Sequence, residues 1–275
     1  MQNKLVPGTV ALSRDICIGR IQCDGELVVC WQDEVRRVHG IDLAMDLLLA
    51  ESHPPPKRAA VLLLAALAQD NSCNAVAIDR CNGVPALVDT LRCTTQGEEQ
   101  SAVLVAALTT LARIAEQCPA SRDAVRLHGG IHLIVGILQA CSKSADTAGK
   151  AAACLGALAA DNVENQVVIG EEGAVQLLIA AAEESHGCRH LQLGFLTALH
   201  RISTLHAANR DRIEELKGEA FLQMVLQMGQ PAEKRRHGVG VVCPGDLFSA
   251  FVIGFLSYHA LRELCAHVRS AFSFK

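Results

Sequence analysis

Aromatic residues are scarce in this chain: one Trp, one Tyr and seven Phe make up 3% of its 275 residues. Any core must therefore be aliphatic and rich in small side chains, with Ala and Leu supplying the bulk of a composition that is 50% apolar. Strict apolar-polar alternation is nearly missing too. GELVVCW, around Leu27 to Trp31, is the one candidate strand, so an all-α chain is expected. Twelve cysteines are present without a single CxxC pair, which disfavours a zinc module or a disulfide framework. Most lie in apolar helical runs, as Cys154 and Cys265 do, and read as buried reduced thiols. The net charge is −4 and no basic stripe extends beyond Lys234, Arg235 and Arg236, so nucleic-acid binding is not expected. MQNKLVPGTVALSRD lacks an apolar secretory core and a Gly at position two, which points to the cytoplasm or the nucleus. There is no GxSxG, Walker loop, HExxH or dinucleotide fingerprint. An enzyme is not expected, and no cofactor is called for.

What the sequence does contain is repetition. The phrase WQDEVRRVHGI (31–41) returns as NAVAIDRCNGV (74–84), SRDAVRLHGGI (121–131) and NQVVIGEEGAV (165–175), with a worn copy, NRDRIEELKGE, at 209–219. The starts are 43, 47, 44 and 44 residues apart, a period typical of helical solenoids. Asn or Ser at the first position suits a helix cap, aliphatic residues recur at helical spacing, and glycine near the end breaks the helix. A second apolar helix follows each phrase, as in VPALVDTLRC from Val84, where Pro85 occupies a first-turn position that tolerates the missing amide. After a variable loop comes a third, Ala/Leu-rich helix, beginning at Ala59, Ser101, Gly149 and His190. Seven and ten residues before each following phrase stand Leu67 and Leu64, Ile114 and Leu111, Leu158 and Leu155, and Ile202 and Leu199. A spacing of three puts each pair on one helix face, where it should pack between helices.

A short helix, a Gly-containing corner, a second helix like G-I-P-x-L-V and a third ending like A-L-x-x-L-A resemble the armadillo repeat. HEAT repeats are disfavoured by the three-helix pattern. The resemblance implies a right-handed α-solenoid, a superhelix of about five three-helix repeats, whose third helices line a groove for extended peptides or protein surfaces. Residues 31–228 would hold the repeats, with starts near 31, 74, 121, 165 and 209. Residues 1–30 would form an N-terminal cap over the first repeat, 229–246 a Gly/Pro/charge-rich loop insertion, and 247–275 a closing helix. This last stretch carries His259 and Arg262 and has no apolar run of the ~20 residues needed to span a membrane. His186, Cys188 and His190 lack a paired second half and read as loop residues rather than metal ligands. His128 and His132 flank the Gly129-Gly130 corner and do not share a helix face.

In peptide-binding armadillo proteins such as importin-α, the third helices carry an Asn ladder, with a Trp array one turn earlier. At the Asn positions this chain has Ala66, Arg113, Ala157 and Arg201, and at the Trp positions Leu62, Thr109, Ala153 and Thr197. The ladder is absent, which disfavours a nuclear-import receptor. These eight residues are the candidate partner-binding set. Helices packed about 8–10 Å apart would put Arg113 and Arg201, two repeats apart, roughly 20 Å from one another. An extended segment rising about 3.3 Å per residue could meet both with acidic side chains about six residues apart. The expected function is a non-catalytic scaffold or adaptor for a protein partner, through an extended, acidic segment. The alternative is a structural or regulatory subunit of a larger stable complex, with an enzyme the most distant reading. Arginines merely paired with nearby acids such as Glu116 would be the plain structural explanation of the same positions.

Overall fold

Each of the first four recurring phrases folds as a short helix followed by a left-handed corner, and the corner launches the second helix. The computed structural model describes residues 22–23, 26–27, 31–49, 54–94, 98–140, 144–185 and 188–216. The second helix expected in the fifth repeat, the 229–246 insertion, the 247–275 closing helix and residues 1–21 of the expected cap lie outside the described residues. Two-residue strands β1 (Gln22–Cys23) and β2 (Glu26–Leu27) pair antiparallel. Of the candidate strand, Glu26 and Leu27 are paired, residues 28–30 lie outside the described residues, and Trp31 opens a helix. The fold is otherwise all-helical among the described residues.

The first repeat comprises α1 (Trp31–Arg37), α2 (Gly40–Leu49) and α3 (Pro54–Ala68), and the second α4 (Ser72–Arg80), α5 (Gly83–Cys93) and α6 (Glu98–Gln117). In the third are α7 (Pro119–Leu127), α8 (Gly130–Ala140) and α9 (Ala145–Ala159). The fourth has α10 (Val163–Glu171), α11 (Ala174–Glu184) and α12 (Arg189–Ser203), and α13 (Ala207–Leu216) opens the fifth. The chain divides into two compact units, with the boundary between His128 and Gly129, inside the third repeat. In the first unit α3 packs against α2, α4 and α6, and α6 also meets α4, α5 and α7. In the second, α9 packs against α8, α10 and α12, and α12 also meets α11.

The registered aliphatic pairs make the core. Leu64, Leu67, Leu111, Ile114, Leu155, Leu158, Leu199 and Ile202 are all fully buried. Burying a leucine-sized side chain contributes about 1.5–3 kcal/mol, so the pattern that defines the repeat also supplies much of its stability.

Two local readings change. The Asn that opens a phrase is not the helix cap. Caps lie three residues earlier, where the Asn71 and Asn162 side chains accept from the backbone amides of Asn74 and Asn165 at 3.0 and 2.9 Å. Asp70 and Asp161, just before them, take left-handed φ values of 53° and 49°. The phrase-opening Asn serves the preceding helix instead. The last turn of a helix leaves carbonyls without intrahelical donors, and Asn74, Asn165 and Asn209 donate to the oxygens of Leu67, Leu158 and Ile202 at 2.9, 2.9 and 3.0 Å. Each bond reaches back seven residues. Asn74 and Asn209 also donate to Gln32 and Gln166 of the repeat before. Where Ser121 is too short to reach, its neighbour Arg122 donates to the Ala115 oxygen at 2.8 Å.

The corner glycines divide two duties between adjacent positions. The left-handed residue is His39, Asn82, Gly129 or Gly173, with φ between 60° and 80°. The residue after it comes close to the helix just ended: a Cβ at Gly83 would lie 2.5 Å from the Ile78 carbonyl oxygen.

Candidate interaction surface on the third helices

Each unit presents two neighbouring third helices, and the eight candidate residues lie along them at helical spacing. In the first unit α3 offers Leu62, which is 39% exposed, and Ala66, half-buried beneath a hydrogen bond from Gln32 to its carbonyl. On α6, the Thr109 hydroxyl donates to the Val105 oxygen at 2.7 Å, so its proton is already used within the helix. Arg113 is held from two sides, Nη1 to Glu116 Oε2 at 3.1 Å and Nη2 to Asp70 Oδ1 at 3.2 Å. Asp70 lies 43 residues away in sequence, at the corner after α3. Its left-handed backbone, at φ 53°, belongs to the turn that presents this carboxylate to the next repeat.

The second unit differs. On α9 Ala153 is exposed, whereas Ala157 is fully buried and offers no surface to a ligand. On α12 the Thr197 hydroxyl donates to the Leu193 oxygen at 2.8 Å. Arg201 is half-buried, and among the described residues no carboxylate lies within ion-pair distance of it. Small residues let α9 and α12 approach: a Cβ at Gly156 would lie 3.1 Å from Ala198 Cα and 3.6 Å from Arg201 Cδ. The arginine stem thus lies over the Gly156 crossing. Beside it, burial first and the Arg201 charge second hold the His200 imidazole below its ordinary value of 6.5. The structure therefore separates the two arginines by environment, one paired with two acids and the other without a carboxylate partner among the described residues.

Of the six described free cysteines only Cys154 is buried, while Cys73, Cys93 and Cys188 are exposed. The expectation of mainly buried thiols fails for these because they sit near helix ends rather than on inward faces. His132 bonds Glu172 through Nδ1 at 2.8 Å, and Cys188 takes the cap position of α12. Among the described residues there is no cluster of three metal-ligating side chains, and no helix is long and apolar enough to cross a membrane.

One feature the sequence did not announce is a shallow cleft of about 650 Å³ along α1 and α4, lined by Arg36, Cys73, Val76, Arg80, Cys81 and Gln117. Arg36 is spent on Asp33 and Asn74. Two arginines at different places in successive phrases form no pattern along the chain, so only the packing of α1 against α4 reveals the cleft.

No family model matches this sequence, and no curated protein does. Solved structures do match. A designed armadillo repeat protein in complex with the peptide (KR)4 is 16% identical with a TM-score of 0.60, covering 82% of this chain and 84% of that one. A computationally designed armadillo repeat protein for modular peptide recognition is 17% identical with a TM-score of 0.61, over 81% and 84% of the two chains. The armadillo-repeats-only protein of Plasmodium falciparum is 13% identical with a TM-score of 0.56, over 82% and 95%. At such identities the likeness establishes the fold, an armadillo-type helical repeat.

Proposed function

We propose that this chain is a non-catalytic protein-interaction scaffold whose third helices bind an extended, acidic segment of a protein partner. The observation that carries the proposal is the guanidinium of Arg201, which has no carboxylate partner among the described residues, on a helix face that also carries the small and weakly polar Thr197. A bidentate carboxylate contact there is charge-assisted, and partial burial limits screening by salt. The armadillo-type fold commonly mediates protein binding, and a designed armadillo protein similar to this chain holds a charged peptide, (KR)4. Here the scaffold carries the positive charge, so the complementary segment is acidic. Arg113 contributes less, because Asp70 and Glu116 already occupy it. Leu62 supplies apolar contact in the first unit.

Fluorescence anisotropy with labelled oligoglutamate and oligolysine peptides tests this. Oligoglutamate should bind in preference, with affinity falling as salt rises, and Arg201→Glu should abolish that binding while Arg113→Glu has the smaller effect. Equal affinity and equal salt dependence in wild type and Arg201→Glu would discard the reading.

A further inference from the structure

The two third helices of the second unit lie side by side in a common register. A Cβ at Gly149 would lie 2.9 Å from Leu191 Cδ2, and one at Gly156 would lie 3.1 Å from Ala198 Cα. Both contacts join residues 42 apart in sequence, so α9 and α12 point the same way. Their groove face then follows from helical spacing. It carries Asp146, Lys150, Ala153 and Ala157 on α9 and, 44 residues on, His190, Gly194, Thr197 and Arg201 on α12. Two of these positions hold a permanent cation, and they stand at opposite corners of the face. Lys150 is exposed, and no carboxylate lies within ion-pair distance of it among the described residues, Asp146 one turn before it included.

The geometry points to Lys150 as the second cationic anchor of the groove, acting with Arg201 on an extended partner segment whose two acidic residues are about four positions apart. This inference rests on the reading of the groove as a site for an acidic segment. Lys150 takes the role expected of Arg113, whose guanidinium Asp70 and Glu116 already hold. It stands level with Gly194, seven residues before Arg201, which is about 10 Å along the helix axis. The step from α9 to α12 adds about 8–10 Å across it, so the diagonal between the two cations is about 14 Å. An extended chain rising about 3.3 Å per residue covers that in about four residues. On a helical ligand, side chains at that spacing are only about 6 Å apart and could not meet both cations. The floor between the anchors leaves room for the intervening residues: Ala153 is exposed, and a Cβ at Gly194 would meet nothing within 4 Å. Asp146 lies on the side of Lys150 away from Arg201, where it repels a further acid and so bounds the acidic pair at that end.

Fluorescence anisotropy with two labelled peptides of identical composition tests the pairing. Both carry two glutamates in a Gly/Pro frame that prevents helix formation, four positions apart in one and adjacent in the other. The spaced peptide should bind the wild type roughly tenfold more tightly, the worth of one added charge-assisted contact. Lys150→Glu should erase that preference, and Lys150→Arg should keep it; circular dichroism melts of both should match the wild type because the position is exposed. Equal binding of the two peptides by the wild type, or a preference that survives Lys150→Glu while Arg201→Glu abolishes binding, would overturn the pairing and leave the acidic groove standing. Binding of neither peptide, or binding unchanged by Arg201→Glu and Lys150→Glu alike, would overturn both.

Discussion

Replacing Asn74 isolates the bond that ties one repeat to the next. Its side chain is fully buried, donates to the oxygens of Leu67 and Gln32 at 2.9 and 3.2 Å, and accepts from Arg36 at 2.6 Å. Gln32 lies inside α1, where its carbonyl has a backbone donor, but Leu67 is in the last turn of α3 and relies on a donor from outside the helix. Asn74→Ala therefore strands a buried carbonyl at about 1–3 kcal/mol and leaves a small void, for a total of about 2–4 kcal/mol. For a chain of this size that is roughly 5–15 °C in Tm. Asn74→Leu keeps the volume and removes the donor, so it should lose about as much. Asn71→Ala removes a helix cap together with part-exposed side-chain bonds to Asp33 and Gln32, and should cost about 1–2 kcal/mol, less than Asn74→Ala. Thermal and urea unfolding followed by circular dichroism read all three. If Asn74→Leu melted with the wild type, or Asn71→Ala were the worse of the pair, the clamp would not be what joins the repeats.

Leu111→Ala and Leu155→Ala empty fully buried positions and should each cost about 2–5 kcal/mol; an unchanged urea midpoint would refute the helix register. Gly83→Ala should destabilise, because its Cβ would press on the Ile78 carbonyl at 2.5 Å, whereas Gly136→Ala, with open space around it, should stabilise α8 by about 0.5–1 kcal/mol. Opposite signs in one melting experiment are required. His200 is held below its ordinary value of 6.5 by burial, then by Arg201, so the fold favours the neutral ring. The stability this provides is present above 6.5 and is lost as pH falls through that value toward the folded pKa. Tm should drop less for His200→Gln than for wild type between pH ~7.5 and ~5.5, and equal drops would remove His200 from the account.

The repeat and its core were legible because they depend on periodicity: a helix cannot bury Leu155 and Leu158 without that spacing. The caps were misplaced by three residues because the stretches Asp70 to Asn74 and Asp161 to Asn165 each hold two asparagines at cap spacing. A single sequence shows both as candidates, and only the fold shows which one faces the amides and which the carbonyls. The identical D-N-x-x-N spacing was the available signal. The eight candidate residues could be placed on the third helices, but their environments could not. Asp70 finds Arg113 across 43 residues through a left-handed turn, and Ala157 is buried under neighbours that no local pattern names.

The backward-reaching asparagines also bear on how such a chain could be lengthened or shortened. Cutting at the start of a phrase would sever Asn74 from Leu67, or Asn165 from Leu158. A junction in the variable stretches before α6, α9 or α12 would instead keep each third helix with the short helix that completes its end. The transferable block is thus offset from the visible repeat, and an insertion or deletion in that frame carries its own polar closure with it.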